Sequence, residues 1–459
     1  MPTPSLLIVP SRWKAGSPGK LYSQIPTNGN GDFNVTRATT ATRVNASGLI
    51  EVVASGIPRL DYPIGGGCPA LLVEPSGTNF ARGVERLNTP TPTTAAGGIT
   101  VTTGSTDFLA PDGTSGTITK YVGGTASGSN FLEYVSSTSV TAAGVHTFSA
   151  FVKAGATNPL NFCALQFTAF TGGSGTGTSY FSLASGTALT TGASIQNYGN
   201  GWYRIISAPY TIAAGDLTGD IRLLFAEGNN DASFPASGAL NLTLYAWGIQ
   251  LEAGSIATSY IPTTTGSITR NADVVSVSGA VSGSIGQTQG TIYLDLTVLG
   301  KGSSSATRWV QIFGPSNNIG LAINSSNLFR SIVNTQSDTL LTAPLISSGV
   351  KVAWAYDATG TTCFINGTQY TLTTGGNQTM SSLTSISIDG SANTAFGFAR
   401  IRAAALYTTR LSDADLMLLT MPGNNTYLPQ AVWDNYLSRT GNSEVPDCLY
   451  TRHADLLDV

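Results

Sequence analysis

The stretch Thr361-Thr362-Cys363-Phe364-Ile365-Asn366-Gly367-Thr368-Gln369-Tyr370-Thr371-Leu372 carries the sharpest local signal in the chain. Asn-Gly accepts the positive backbone angles of a two-residue type I′ turn, and the β-branched and aromatic residues on either side suit a pleated surface. A tight antiparallel hairpin centred on Asn366-Gly367 is expected. Upstream, Thr291 to Val298 places Ile292, Leu294, Leu296 and Val298 on one face at period two, and Lys351 to Asp357 does the same with Val352, Trp354 and Tyr356. Downstream, a strand over Phe398 to Tyr407 leads into Leu411-Ser412-Asp413-Ala414-Asp415-Leu416. There Ser412 can cap a short helix and Asp415 can answer it, with Pro422-Gly423 ending the segment. These elements define a block over 286–422 with its own core.

A second block, 98–275, repeats the logic. Phe148, Ala150 and Val152 share one face of a strand, and Ile221, Leu223 and Phe225 share one face of another. In Leu240 to Leu251, Leu240, Leu242 and Leu244 line one face and Tyr245, Trp247, Ile249 and Leu251 the other, which predicts a central strand buried on both sides. Turn signals at Gly172-Gly173, Tyr198-Gly199-Asn200-Gly201 and Gly228-Asn229-Asn230-Asp231 recur at the spacing of a sandwich or jelly roll. Residues 1–97 are rich in Pro and Gly, with short strands expected at Gly48 to Val53 and Ala70 to Glu74. Their order should come from packing, either on the downstream domains or on another protein. The fold class is therefore all-β: two tandem β-sandwich (jelly-roll-like) domains after an irregular N-terminal attachment region, with a tail at 423–459 whose Trp433 and Tyr436 join the attachment end.

Composition agrees. Only 10% of the 459 residues are charged, against roughly 25% in an ordinary soluble domain, and Gly, Ser, Thr and Asn take their place, a mixture that disfavours helices. The length fits two or three domains, each able to bury a core. A net charge of −3 with scattered Lys and Arg leaves no electrostatic footprint for nucleic acid or an anionic membrane. No apolar run approaches the roughly 18–20 residues that span a bilayer, and Met1 to Trp13 lacks a signal-length apolar stretch, so synthesis in a cytoplasm is expected. Cys68, Cys163, Cys363 and Cys448 show no C-x-x-C spacing and are expected as free thiols. His146 and His453 are the only histidines, too few for a His-based metal site or a Ser-His-Asp triad.

Several runs resemble phage virion proteins, and the resemblance covers most of the chain. Thr36-Arg37-Ala38-Thr39-Thr40-Ala41-Thr42-Arg43-Val44, Gly48-Leu49-Ile50, Pro58-Arg59, Leu71-Leu72-Val73-Glu74-Pro75 and Thr78-Asn79 are similar to the leading segment of many such proteins. The second block resembles their carbohydrate-binding-module-like domain through Gly201-Trp202-Tyr203-Arg204, Ala246-Trp247-Gly248-Ile249-Gln250-Leu251-Glu252-Ala253-Gly254, Ser259-Tyr260-Ile261-Pro262-Thr263-Thr264 and Arg270-Asn271-Ala272-Asp273. The block 286–422 resembles a concanavalin A-like, laminin-G-type sandwich through Trp354-Ala355-Tyr356-Asp357, Phe364-Ile365-Asn366-Gly367 and Leu411-Ser412-Asp413-Ala414-Asp415-Leu416.

The resemblance implies a virion structural protein, a head or tail fibre or appendage subunit made in the host bacterial cytoplasm. Its implied partners are other virion proteins, two further copies in a homotrimer, and a host surface glycan. A purely architectural connector or capsid decoration protein is the competing reading. Sugar contact would use aromatic rings with polar neighbours, for which Trp202, Tyr203, Tyr245 and Trp309 and the loop Asn229, Asn230, Asp231 are the candidates; core packing is the alternative role for each ring. A glycan depolymerase carries little weight. The block 286–422 has no glutamate, whereas a glycosidase of that fold would show Glu-x-Asp-x-x-Glu on one strand. Elsewhere Glu51, Glu74, Glu85, Glu133, Glu252 and Glu444 form no such pattern, and Glu227 to Asp231 reads as a turn. The chain is expected to be non-enzymatic and to need no cofactor, with loop calcium at Asn229-Asn230-Asp231 a minor option.

Overall fold

A computed structural model describes residues 2–10, 19–81, 94–170, 175–235, 238–263, 266–301, 306–315, 317–324, 329–333, 336–339, 349–371, 382–388 and 397–423. Trp13, Glu85, the turn Gly172-Gly173, Trp433, Tyr436, Glu444, Cys448 and His453 lie outside these residues, as do all but the first residue of the tail at 423–459 and the side chain of Glu133. The protein is all-β, and Asp413–Thr420 is the one α-helix among the described residues.

One sandwich lies wholly between residues 94 and 253. Its first sheet runs in the order Thr100–Ser105, Ile118–Val122, Thr243–Ala253, Gly144–Ala154, Tyr203–Ile206, Ser194–Asn197, with Tyr210–Ile212 also on Gly144–Ala154. Its second runs Thr187–Ala188, Gly177–Ser182, Phe162–Thr168, Thr218–Ala226, Phe131–Ser139, Thr94–Ala95. Phe148, Ala150, Val152, Ile221, Leu223 and Phe225, which alternation assigns to inward faces, meet in one core between the sheets.

The other sandwich is assembled from both ends of the described chain. One sheet places Gly397–Tyr407 between Gly290–Lys301 and Ala70–Val73, with Leu6–Ile8 pairing to the same long strand and Leu60–Asp61 at the edge. In the other, Phe33–Thr36 pairs with Val274–Ser278, which pairs with Ser385–Ser387. Ile292, Leu294, Leu296, Val298, Val352, Trp354 and Tyr356 share a core with Leu6, Phe33 and Leu71 from the leading segment. Of the two expected sources of order for residues 1–97, packing on the downstream part of the chain is the one seen. The strands of this segment are two to four residues long, too short to hold a core alone, and Leu6–Ile8, Lys20–Leu21, Phe33–Thr36, Leu60–Asp61 and Ala70–Val73 complete the sheets of the block from 286. The sandwich at 94–253 is an insertion, entered and left through Gly77–Asn79 and Ile268–Arg270, which pair with each other.

Local details follow the sequence closely. Asn366 and Gly367 have φ of 48° and 81°, and Ile365 pairs with Thr368, which makes the expected I′ hairpin. Ser412 Oγ accepts from the Asp415 amide at 3.2 Å and donates to Asp415 Oδ2 at 2.8 Å, capping the helix. Thr243–Ala253 is central as expected, but its facing departs from strict alternation. The register shifts between Ser149 opposite Gln250 and Phe151 opposite Trp247, a bulge at Gly248 with φ +58°. Tyr245 and Trp247 therefore face outward, whereas Ile249 and Leu251 face the core together with Leu244. Leu240 lies before the strand and is 53% exposed.

Candidate functional site

Two features occupy the junction between the sandwiches. The first is a buried polar network. Arg59 Nη1 donates to Glu74 Oε2 at 2.7 Å, its Nη2 bonds Asp273 Oδ2, and Arg37 Nη1 donates to Asp273 Oδ1 at 2.7 Å. Arg270 Nη2 lies 3.5 Å from Glu74, and the Ser259 amide and hydroxyl donate to the same carboxylate at 2.7 and 2.6 Å. None of the five charged side chains is more than 3% exposed. Burial alone would raise the Glu74 pKa, but Arg59, Arg270 and Ser259 outweigh it and bring it down to about 2. For Arg59, burial pulls the other way and Asp273 and Glu74 overcome it, so its pKa is raised. Beside the network, Asn79 Nδ2 donates to the carbonyls of Ile249 and Ile261, while Glu252 accepts from Gln250 and Thr258. Short runs far apart in the sequence thus meet in one place: Arg37, Arg59, Glu74, Asn79, Ser259, Arg270 and Asp273 join leading segment, linker and inserted sandwich.

An aromatic cluster adjoins it on the outward face of the inserted sandwich. Phe151 and Trp247 sit 5.2 Å apart, and Tyr260 from the linker packs 4.7 Å from Trp247. Gly248 makes room for this contact, since a Cβ there would stand 2.9 Å from Phe151 and 3.2 Å from Tyr260. Ile50 of the leading segment and Ala110 of the loop before Ile118 complete the cover. The face is therefore occupied by the chain itself.

The second feature is an open cleft of about 430 Å³ between the sandwiches. Edge strand Ser194–Asn197 presents Ser194, Gln196 and then Tyr198 to it at alternate positions. Arg204, paired opposite Gln196, lies behind them with its Cζ 5.4 Å over the Phe151 ring and its Nη2 donating to Ser149 Oγ at 3.1 Å. Arg43 Nε donates to Glu51 Oε1 and Arg400 Nε to Asp61 Oδ2, each at 2.5 Å, across the opposite wall. Burial raises the Tyr198 pKa.

The candidate residues named from the sequence do not form one site. Trp202 is 2% exposed, with Nε1 donating to the Leu109 carbonyl at 2.9 Å. Tyr245 is 4% exposed and donates to Asp107 Oδ2 at 2.6 Å. Trp309 packs 5.8 Å from Phe329 in the core of the other sandwich. Tyr203 is half-buried against the inserted core. Trp202, Tyr245 and Trp309 are thus packed rings, whereas Tyr203 is only half-buried. Asn229, Asn230 and Asp231 are exposed, on a turn where the Glu227 amide donates to the Asp231 carbonyl at 2.9 Å. Among the described residues no group of three His, Cys, Asp or Glu gathers around a point, and His146 is a buried strand residue with Nδ1 3.0 Å from the Gly144 carbonyl. Sequence reading missed the cleft arginines and the polar network. The available signal was an Arg or an acid closing an apolar run, as in Leu71-Leu72-Val73-Glu74, in a chain so poor in charge.

No known protein family matches the chain, and no curated protein does. Among solved structures it is similar to the NanB sialidase from Streptococcus pneumoniae, at 12% identity over 32% of this chain and 27% of that one, TM-score 0.27. It is also similar to the Ruminococcus gnavus IT-sialidase CBM40 bound to alpha2,3 sialyllactose, at 16% identity over 31% of this chain and 87% of that one, TM-score 0.26. A botulinum neurotoxin type C structure matches at 12% identity over 33% of this chain and 40% of that one, TM-score 0.27. The chain thus spans about a quarter of the NanB chain. Likenesses at this level carry no inference about family or activity.

Proposed function

We propose that the chain is a non-catalytic structural subunit of a phage particle, a fibre or appendage component that also adheres to host surface glycans. The observation that carries the structural part is the buried Arg59–Glu74–Asp273 network. It ties the leading segment at Arg59 and Glu74 to the returning chain at Asp273, and through Ser259 it also holds the stretch that leaves the inserted sandwich. A network of that kind serves a subunit that must hold its modules at a fixed angle; a spacer with a flexible hinge has no use for it. The resemblance of the same motif residues to phage virion proteins supports the particle, other virion proteins as partners, and a homotrimer. Mass spectrometry and antibody labelling of purified particles test the reading: the chain should copurify and decorate one structure, and its absence from intact particles would overturn it.

The architectural connector without glycan binding is the second reading. It is favoured by the aromatic face of the inserted sandwich, which is covered by Tyr260, Ile50 and Ala110. A glycan array with the full chain separates the two, because adhesion requires at least one saccharide to bind.

A further inference from the structure

We infer that the cleft between the sandwiches is a binding site for an anionic saccharide, one whose carboxylate or phosphate is taken by Arg43 and Arg400. The inference rests on the adhesion reading and gives it a place and a ligand chemistry.

The volume, about 430 Å³, falls in the range of roughly 300–1,000 Å³ common for ligand clefts, and such clefts favour domain interfaces. Charge decides the ligand class. Three arginines line the cleft, Arg43, Arg204 and Arg400, against two carboxylates, Asp61 and Glu74. Glu74 is already answered by Arg59 and Arg270 from behind. Glu51 and Asp61 offset Arg43 and Arg400, so the excess positive charge of the wall is that of Arg204, which makes no ion pair among the described residues. Arg43 and Arg400 each use only Nε toward their carboxylates, and among the described residues their Nη groups have no hydrogen-bond partner. The two side chains are 22% and 38% exposed, so those N–H groups can reach a ligand. A guanidinium with its terminal N–H groups free suits bidentate contact with an oxyanion.

The opposite wall supplies what a sugar hydroxyl needs. Ser194 and Gln196 are exposed, project from an edge strand, and make no side-chain hydrogen bond among the described residues. A neutral saccharide is disfavoured because stacking needs an open ring, and the rings here are occupied: Tyr260 is 4% exposed and Tyr198 packs edge-on to Phe151 with centroids 4.9 Å apart.

The test is calorimetric titration of the full chain with four ligands: an oligomer of uronic acid, a phosphorylated disaccharide, a neutral oligomer of equal length, and inorganic phosphate. At least one anionic saccharide should bind about tenfold tighter than the neutral oligomer, more weakly as salt rises. Arg43→Gln and Arg400→Gln should each weaken it about tenfold. Ser194→Trp, which fills the cleft and touches no charge, should abolish it while leaving the unfolding transition in place. Equal affinity for neutral and anionic oligomers, or unchanged binding in all three variants, would overturn the inference. Inorganic phosphate binding as tightly as the saccharides would reduce the cleft to an ion site and overturn it too. Glycans that bind the chain regardless of Ser194→Trp would leave adhesion standing without this site, whereas no glycan binding of any kind would remove both.

Discussion

Arg59 and Asp273 are 214 positions apart in the sequence and meet in a buried ion pair, with Glu74 bound to the other side of the same guanidinium. Removing one member of a buried pair leaves the other charged and desolvated, which typically costs about 3–5 kcal/mol. Arg59→Met is therefore expected to lose about that much stability in urea denaturation, since it takes one arginine from each of two buried carboxylates and leaves Asp273 with Arg37 and Glu74 with Arg270. Arg59→Lys should lose nearly as much, because an ammonium cannot reproduce the planar fork that reaches both partners. A loss below about 1 kcal/mol would mean the network is solvated in solution.

Acid should dissolve the same junction. The folded-state pKa of Glu74 is lowered from 4.5 to about 2, with burial opposing and Arg59 and Arg270 prevailing. A carboxylate depressed on folding contributes stability that is complete above its unfolded pKa and is lost as pH falls through the folded one. Denaturation of the parent chain and of Glu74→Gln at a series of pH values is expected to converge between pH 4.5 and about 2, and to run parallel above that window.

Gly248→Ala isolates the aromatic contact. The residue sits at φ +58°, which costs an alanine roughly 1–2 kcal/mol, and the new Cβ would also press on Phe151 and Tyr260. Gly199 has φ +76° with nothing within 4 Å of its added Cβ, so Gly199→Ala shows the backbone effect alone. Gly248→Ala should cost more than Gly199→Ala in chemical denaturation and should change the near-ultraviolet dichroism of the Trp247 environment. Equal effects of the two substitutions would refute the contact.

What the sequence made legible was local. The Asn366-Gly367 hairpin, the period-two cores and the Ser412 cap depend on neighbours within a few positions, so their chemistry can be read directly. The facing of Tyr245 and Trp247 was misread because one bulge at Gly248 inverts parity, and a lone Gly in an apolar run does not say whether it bulges. The leading strands looked irregular because each is too short to display a period; their order comes from partners such as Gly397–Tyr407, more than 300 residues away. The polar junction was visible residue by residue in the quoted motifs, but convergence in space is not written in spacing. The aromatic candidates were chosen by type, and type alone does not distinguish a platform from a packed ring.

The insertion itself can be tested by removing it. Asn79 and Ile268 are opposite each other in the antiparallel pair that forms the neck, so the two ends of the inserted sandwich lie one strand spacing apart. Deleting residues 80–267 and joining Asn79 to Ile268 through an Asn-Gly turn should close a hairpin that the neck already has in register. The remaining chain keeps Leu6–Ile8, Phe33–Thr36, Ala70–Val73 and Val274–Ser278 with all their partners in the outer sandwich. It also keeps Arg37, Arg59, Glu74, Arg270 and Asp273, and loses only Ser259 from the network. We expect a cooperative unfolding transition, with stability a few kcal/mol lower for the lost Tyr260 and Ser259 contacts and for the newly exposed Ile50. Truncation of residues 1–81 should behave in the opposite way, because it strips strands from both sheets, and the outer sandwich should then fail to fold. A truncated chain that still unfolds cooperatively with an intact outer core, measured by amide hydrogen exchange at Leu294 and Trp354, would show that the leading strands decorate this sandwich instead of building it.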